Sequence, residues 1–321
     1  MTRYDILVVG GGLAGLTAGL FAARAGRSTL VLESAVPGGH LLNIQKIEDF
    51  PGFPDGVSGY EIGPNTQMQA MNHGAEFAMA EIQSLAQAAG GDAGDWTVST
   101  TEGDYEAGAV IVASGSHARA LGVPGEERLI GKGVSHCASC DGPLFRGQTV
   151  GVAGGGDSAL MEALTLAEHV GKVLIFHRGE HLEGQQTYSQ RVLDERKIEV
   201  CYQTEVREIL GEGEVAGVKV KDMASGAERT IDLVGLFVYI GLEPSTQFLG
   251  GLLDLDEAGR VPTDIWMRTA LPGLFAAGDV RRDSASQAIT AAGDGATAAI
   301  AADRYLRDRA SGGVAGGAGA S

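Results

Sequence analysis

The chain opens on a short unbroken apolar run, Ile6 to Val9, set in "DILVVGGGLAGLTAGLFAARAGRSTLVLES" (5 to 34). A continuous run of that length, with no polar alternation, is the pattern of a parallel strand covered on both faces. The residues from about Leu13 to Ala25 predict a helix closed by Gly26, and "STLVLE" predicts the next strand. The same order returns at "QTVGVAGGGDSALMEALTLAEHVGKVLIFHR" (148 to 178), where Gly10, Gly12 and Gly15 fall on Gly154, Gly156 and Ala159, each 144 residues further on. Two copies of a nucleotide-binding βαβ unit predict an α/β fold with two doubly wound Rossmann-like dinucleotide-binding domains.

The remaining pattern sorts around these copies. A strand is expected within 107–126, another within 233–249 that ends at Gly241 and Pro244, and a strand, Gly-Asp turn and long small-residue helix over 273–306. The parse inserts the second unit into the first: 1–117 and 244–310 form one domain, 118–243 the other, and the glycine-rich stretch 311–321 is a disordered tail.

Charge narrows the function classes. With 24 basic and 41 acidic residues the chain carries a net −17, which repels nucleic acid and anionic membrane surfaces. No stretch reaches membrane-span length without charge or glycine, and the N-terminus runs straight into a strand with no cleavage-site pattern. Three cysteines make no secreted disulfide framework, so the cytoplasm is the expected compartment.

The first glycine turn carries chemistry because its context is right. Gly10 permits the tight turn, Gly12 admits a pyrophosphate to the backbone amides, Gly15 lets the helix pack on the strand, and the helix start supplies partial positive charge. Glu33 ends the second strand, where a carboxylate accepts hydrogen bonds from a ribose diol. In the second copy that position is His177, followed by Arg178, which suits a 2′-phosphate, but Gly179, Glu180 and Glu183 come next. Gly154, Gly156 and Arg178 therefore outline a nicotinamide dinucleotide pocket with a weakened phosphate clamp.

"CASCD" places Cys137 and Cys140 two residues apart with Asp141 directly behind. A zinc site wants a second ligand pair, and the other cysteine, Cys201, stands alone in a predicted strand as a small buried residue. No metal is expected. A structural disulfide does not suit a reducing compartment, so the reading favours a redox dithiol with Asp141 as proton donor or acceptor.

The pieces "GGGLAG", "PGGHLLN", "EDFPGFPDGVSG", "CASCDG", "GGGDSALMEA", "FVYIGLEPST", "FAAGDV" and "SQAITAAGDGATAAIAADRYL" run through nearly all of 3–307. Together they resemble the bacterial, low-molecular-weight thioredoxin reductases. The resemblance implies an FAD domain, an inserted pyridine-nucleotide domain bearing the dithiol, and a homodimer. It implies that Gly10, Gly12, Gly15 and Glu33 contact FAD, and that Gly38, Gly39 and His40 form a loop beside the flavin, with histidine where the family usually has glutamine. Asp279 would face the FAD ribityl and pyrophosphate, and Gln287 and Ala288 would begin the helix whose positive end meets the flavin. Cys140 would meet the flavin, Cys137 would attack the disulfide of thioredoxin or a similar protein, and Asp141 would carry the proton.

Three positions depart from the family. Gly179 and Glu183 replace two arginines of its phosphate clamp, and Ser286 replaces an arginine before Gln287. The expected activity is flavin-dependent disulfide reduction, with the donor left open among NADPH, NADH and ferredoxin or another reduced carrier. The alternative is a flavin dithiol oxidase that uses dioxygen.

Overall fold

The computed structural model describes residues 1–88 and 94–311, so the expected tail lies outside the described residues except for Ser311. The chain begins β1 (Thr2–Val9), α1 (Leu13–Arg24), β2 (Thr29–Glu33), α2 (Gly59–Met71), β3 (Glu76–Met79), β4 (Ile82–Gln87), β5 (Trp96–Thr100) and β6 (Gly103–Val112). It continues β7 (Ser116–Ala118), α3 (Glu126–Leu129), β8 (Val134–Ser135), α4 (Ala138–Asp141), β9 (Thr149–Ala153), α5 (Asp157–His169), β10 (Lys172–Phe176) and α6 (Gln186–Asp194). Then follow β11 (Ile198–Cys201), β12 (Thr204–Leu210), β13 (Gly217–Asp222), β14 (Glu228–Asp232), β15 (Gly235–Val238), β16 (Leu242–Pro244), β17 (Leu274–Ala276) and α7 (Ala288–Ala310).

Two compact units result, one from 1–117 with 243–321 and one from 118–242. In the first, the sheet runs β3-β2-β1-β6-β5-β4, with β17 also on β6. β1 pairs parallel with both β2 and β6, whereas β5 pairs antiparallel with the first half of β6. Alternate residues of β1 feed two cores: Leu7 and Val9 pack with Leu30, Leu32 and Val112, while Ile6 and Val8 pack with Ala14, Ala18, Ala298 and Ala302. Burial on both faces explains the unbroken apolar run, and each such side chain contributes about 1.5–3 kcal/mol. The small-residue character of α7 also has a cause. A Cβ on Gly295 would stand 2.0 Å from the Ala14 carbonyl oxygen, so α1 and α7 approach backbone to backbone.

The second unit repeats the scheme. Its sheet is β11-β10-β9-β15-β8, every pair parallel, joined by the antiparallel ladder β12-β13-β14. Val150, Val152 and Ile175 pack under α5, and Leu174 and Phe176 pack on the other face with Val206 and Val218. The ends of this unit lie side by side, the Arg119 N–H donating to the Gly241 carbonyl at 3.0 Å. Among the described residues no helix is long and apolar enough to cross a membrane.

Candidate active site

In the first unit the expected binding residues converge at the ends of β1, β2 and β17. Gly10 has φ 104°, a left-handed conformation, and a Cβ there would overlap the Ala113 carbonyl. Gly12 caps α1 with no side-chain hydrogen bond, and the space above its Cα is open. Glu33 sits at the turn, its Oε2 accepting the Gly11 N–H at 2.7 Å and its Oε1 the Ala35 N–H at 3.0 Å. The Gly38–His40 loop lies against the same turn: Gly38 donates its N–H to the Gly11 carbonyl at 2.8 Å and bridges Gly12.

His40 reaches across this site, donating through Nε2 to the Ser116 carbonyl at 2.6 Å. Asp279 follows β17 on a turn wedged between helix starts, since a Cβ on Gly278 would meet Ala14 at 2.9 Å and Ala291 at 3.8 Å. Burial raises the proton affinity of Asp279, and Ser284, His40 and Arg260 oppose that rise. α7 begins at Gln287 with no side-chain cap and no acid in its first turn, and Ala288 packs beside Leu13 and Leu41. Two uncapped helix starts, an open glycine and a buried Ser116 Oγ without a partner fit a bound pyrophosphate and its attached ring system. The residues present therefore suit a dinucleotide such as FAD.

The second unit carries the cysteines. Cys137 and Cys140 form a disulfide with a Cα–Cα distance of 5.3 Å. Cys137 is half-buried and caps α4, its Sγ accepting the Cys140 N–H at 3.2 Å, while Cys140 itself is exposed. Asp141 ends α4 and donates its N–H to the Cys137 carbonyl at 3.1 Å. Cys201 is half-buried rather than fully buried, and burial followed by Glu199 pushes its thiol up, which makes it a poor nucleophile.

Beneath α4 lies a group that the sequence reading did not single out. Glu162, 8% exposed within α5, accepts the Ala138 N–H at 3.2 Å. Burial pushes its carboxyl up to about 7, against the opposing pull of Ala138 and Tyr239. The signal was present in "ALMEALTL": Glu162 falls on the stripe Ala159, Ala163, Leu166 that faces the core.

The second glycine turn matches the first, with Gly154 at φ 138° and Gly156 capping α5 over open space. Where the first unit has Glu33, the buried His177 lays its ring on the turn. Its Nε2 donates to the His181 carbonyl at 2.8 Å, and a Cβ on Gly155 would stand 2.2 Å from its Nδ1. Arg178 is not gathered into this site: its side chain is 71% exposed, 4.0 Å from Glu205. Glu183, in contrast, is tied to the turn, its N–H donating to the Gly155 carbonyl at 2.8 Å.

Residues 4–295 match the model of the pyridine nucleotide-disulphide oxidoreductase family. The thioredoxin reductase of Listeria innocua is 40% identical over 307 residues, covering 95% of this chain and 94% of that protein. The thioredoxin reductase of Streptomyces coelicolor is 41% identical over 305 residues, covering 94% of each chain. A crystal structure of the Lactococcus lactis thioredoxin reductase aligns with a TM-score of 0.91 at 37% identity, covering 95% of this chain and 99% of that one.

Proposed function

The chain belongs to the bacterial low-molecular-weight thioredoxin reductases within the pyridine nucleotide-disulphide oxidoreductases, and from that premise we propose a working cycle for its own residues. Family membership makes it an FAD-dependent disulfide oxidoreductase. Gly10, Gly12, Glu33, the Gly38–His40 loop, Asp279 and the start of α7 would hold FAD, which in its reduced form would supply an electron pair. Cys140 receives that pair as the Cys137–Cys140 bond opens. Cys137 then attacks the disulfide of thioredoxin, Cys140 displaces it to close the ring again, and Asp141 moves the proton. The observation that carries this reading is the disulfide itself, closed within a four-residue turn with one of its two cysteines exposed. A homodimer in the cytoplasm belongs to the same proposal.

Serine variants test the division of labour. Cys137→Ser and Cys140→Ser should each lose more than about 1000-fold in thioredoxin reduction, as expected of a nucleophile acting in a unit, with flavin content unchanged. Cys140→Ser should trap thioredoxin as a stable mixed disulfide and Cys137→Ser should not. Trapping by Cys137→Ser alone reverses the roles, and full turnover in either variant dismisses the dithiol.

A second reading concerns the donor. A 2′-phosphate wants two or three guanidinium partners, each charge-assisted bond contributing about 1.5–3 kcal/mol. Here Arg178 points to Glu205 and Glu183 is fixed at the turn. Two missing contacts would weaken NADPH by roughly three orders of magnitude at about 1.4 kcal/mol per tenfold. NADH would be weak as well, since His177 replaces the ribose acid, which favours ferredoxin or another carrier. The test is anaerobic bleaching of the yellow protein by each donor in turn. Rapid bleaching by micromolar NADPH overturns this part alone and leaves thioredoxin reduction standing.

A further inference from the structure

Glu162 is a carboxyl with no cation among the groups that set its proton affinity, buried one hydrogen bond away from the working disulfide. Its contact is the N–H of Ala138, the residue that follows Cys137 and is itself fully buried. The Tyr239 hydroxyl, beyond β15, is buried close to the Glu162 carboxyl and favours its ionised form. We propose that Glu162 is a positioning residue for the dithiol, which holds the Cys137–Cys140 turn through the Ala138 amide and takes up a proton when the disulfide is reduced. The inference rests on the reading of Cys137 and Cys140 as the working pair.

The physical reason is like charge. Two electrons supplied through the enzyme's FAD break the S–S bond. One sulfur takes a proton, and the other stays as a thiolate in the same short turn that the carboxylate supports. A new anion nearby disfavours the ionised carboxyl, so Glu162 binds a proton. The step balances as disulfide plus carboxylate plus two electrons plus two protons, giving thiol, thiolate and neutral carboxyl. When thioredoxin takes the electrons, the disulfide closes and the proton leaves. The titratable groups around Glu162 are few. Tyr239 stands at the end of β15, and Asp141 and the two cysteines lie on or beside α4. His136 spends its Nδ1 on the Val238 carbonyl at 3.0 Å, and His169, at the end of α5, packs beside Gly142.

The window follows from the sign. In the disulfide form the carboxyl titrates at about 7, and the thiolate raises that value. Below about pH 7 Glu162 is protonated in both forms and reduction takes up no extra proton. Above it, reduction draws one more proton until the carboxyl ionises in both forms. Glu162→Gln keeps the oxygen that accepts the Ala138 N–H and removes the proton. Flavin-loaded wild type and variant are equilibrated with glutathione buffers from pH 6 to 9, and their thiols are counted by alkylation and mass.

The expected result is parallel behaviour below about pH 7. Above it, the wild-type reduction constant should fall relative to the variant by up to about tenfold per pH unit, or about 30 mV for a two-electron couple. Tyr239→Phe, which removes a group that favours the ionised carboxyl, should move the onset to higher pH. Parallel lines throughout overturn the proposal, and an unmoved onset removes Tyr239 from it. Should Glu162→Gln fail to fold, wild type alone decides. Reduction near pH 8 must produce a protonated-carboxyl stretch that shifts on carbon-13 labelling of glutamate, and its absence overturns the proposal. Because this equilibrium needs no thioredoxin, failed turnover with thioredoxin would sink the working cycle and leave this result readable.

Discussion

Gly12 and Gly15 show how much one hydrogen atom decides. A Cβ at Gly15 would stand 1.8 Å from the Gly10 carbonyl oxygen, whereas nothing lies within 4 Å of one at Gly12. Gly12→Val should therefore fold normally and yet lose its FAD, because the side chain fills the space proposed above for the pyrophosphate. Flavin absorbance per chain should fall from near one to near zero, while the thermal midpoint matches that of flavin-stripped wild type. Stoichiometric flavin in the variant would refute the assignment of this turn. The donor site yields to the same reasoning. Restoring an arginine at Gly179 is a poor test, since its Cβ would meet His177 Nε2 at 2.5 Å and the imidazole is hydrogen-bonded in place. Glu183→Arg disturbs no such contact. It should strengthen NADPH at least about tenfold, from one charge-assisted bond of about 1.5–3 kcal/mol. An unchanged apparent Kd in anaerobic titration would locate the block elsewhere.

Among the elements, α7 depends on a buried anion. Asp95, 5% exposed at the start of β5, accepts two bonds of 3.0 Å from Arg309 near the end of α7 and one of 2.9 Å from Arg3. Removing a buried partner strands the opposite charge, so Asp95→Ala should cost about 3 kcal/mol, while Arg3→Ala, with its side chain 53% exposed, should cost less than about 1 kcal/mol. Denaturant midpoints of the two variants check the ordering. The sequence made some of these elements plain and hid others. β1, α1 and β2 are largely buried runs, and their copies β9, α5 and β10 repeat the order with buried strands around an amphipathic helix, all separated by glycine turns; that signal is strong, and both fingerprints and the Cys137–Cys140 pair came with it. β3, β4 and β14 are largely exposed and carry no apolar period. α2 carries Pro64 in its interior, which reads as a break although the Ser58 cap starts the helix. Glu162 stayed hidden for a related reason: one acid in an amphipathic helix reads as a solvated face until the packing of α4 against α5 is known.

Across the whole molecule, one unit is continuous in sequence and the other is not. Residues 118–242 contain every strand and helix of the cysteine-bearing unit. The dinucleotide fold instead joins 1–117 to a segment that begins at 243, and its core is closed by Ala298, Ala299, Ala301 and Ala302 from α7. On the ribosome, where a chain is released from its N-terminus at about 5–20 residues per second, these two conditions set an order. The first 117 residues emerge with one face of their sheet covered by α1 alone, while the inserted unit holds its own parallel sheet within 118–242. The arrival of β17 extends that sheet, α7 completes its cover, and with them come Asp279 and Gln287, the residues proposed above to meet the flavin. A nascent chain stalled before Ala288 should thus carry a complete cysteine-bearing unit beside an incomplete dinucleotide unit, and is expected to retain no FAD.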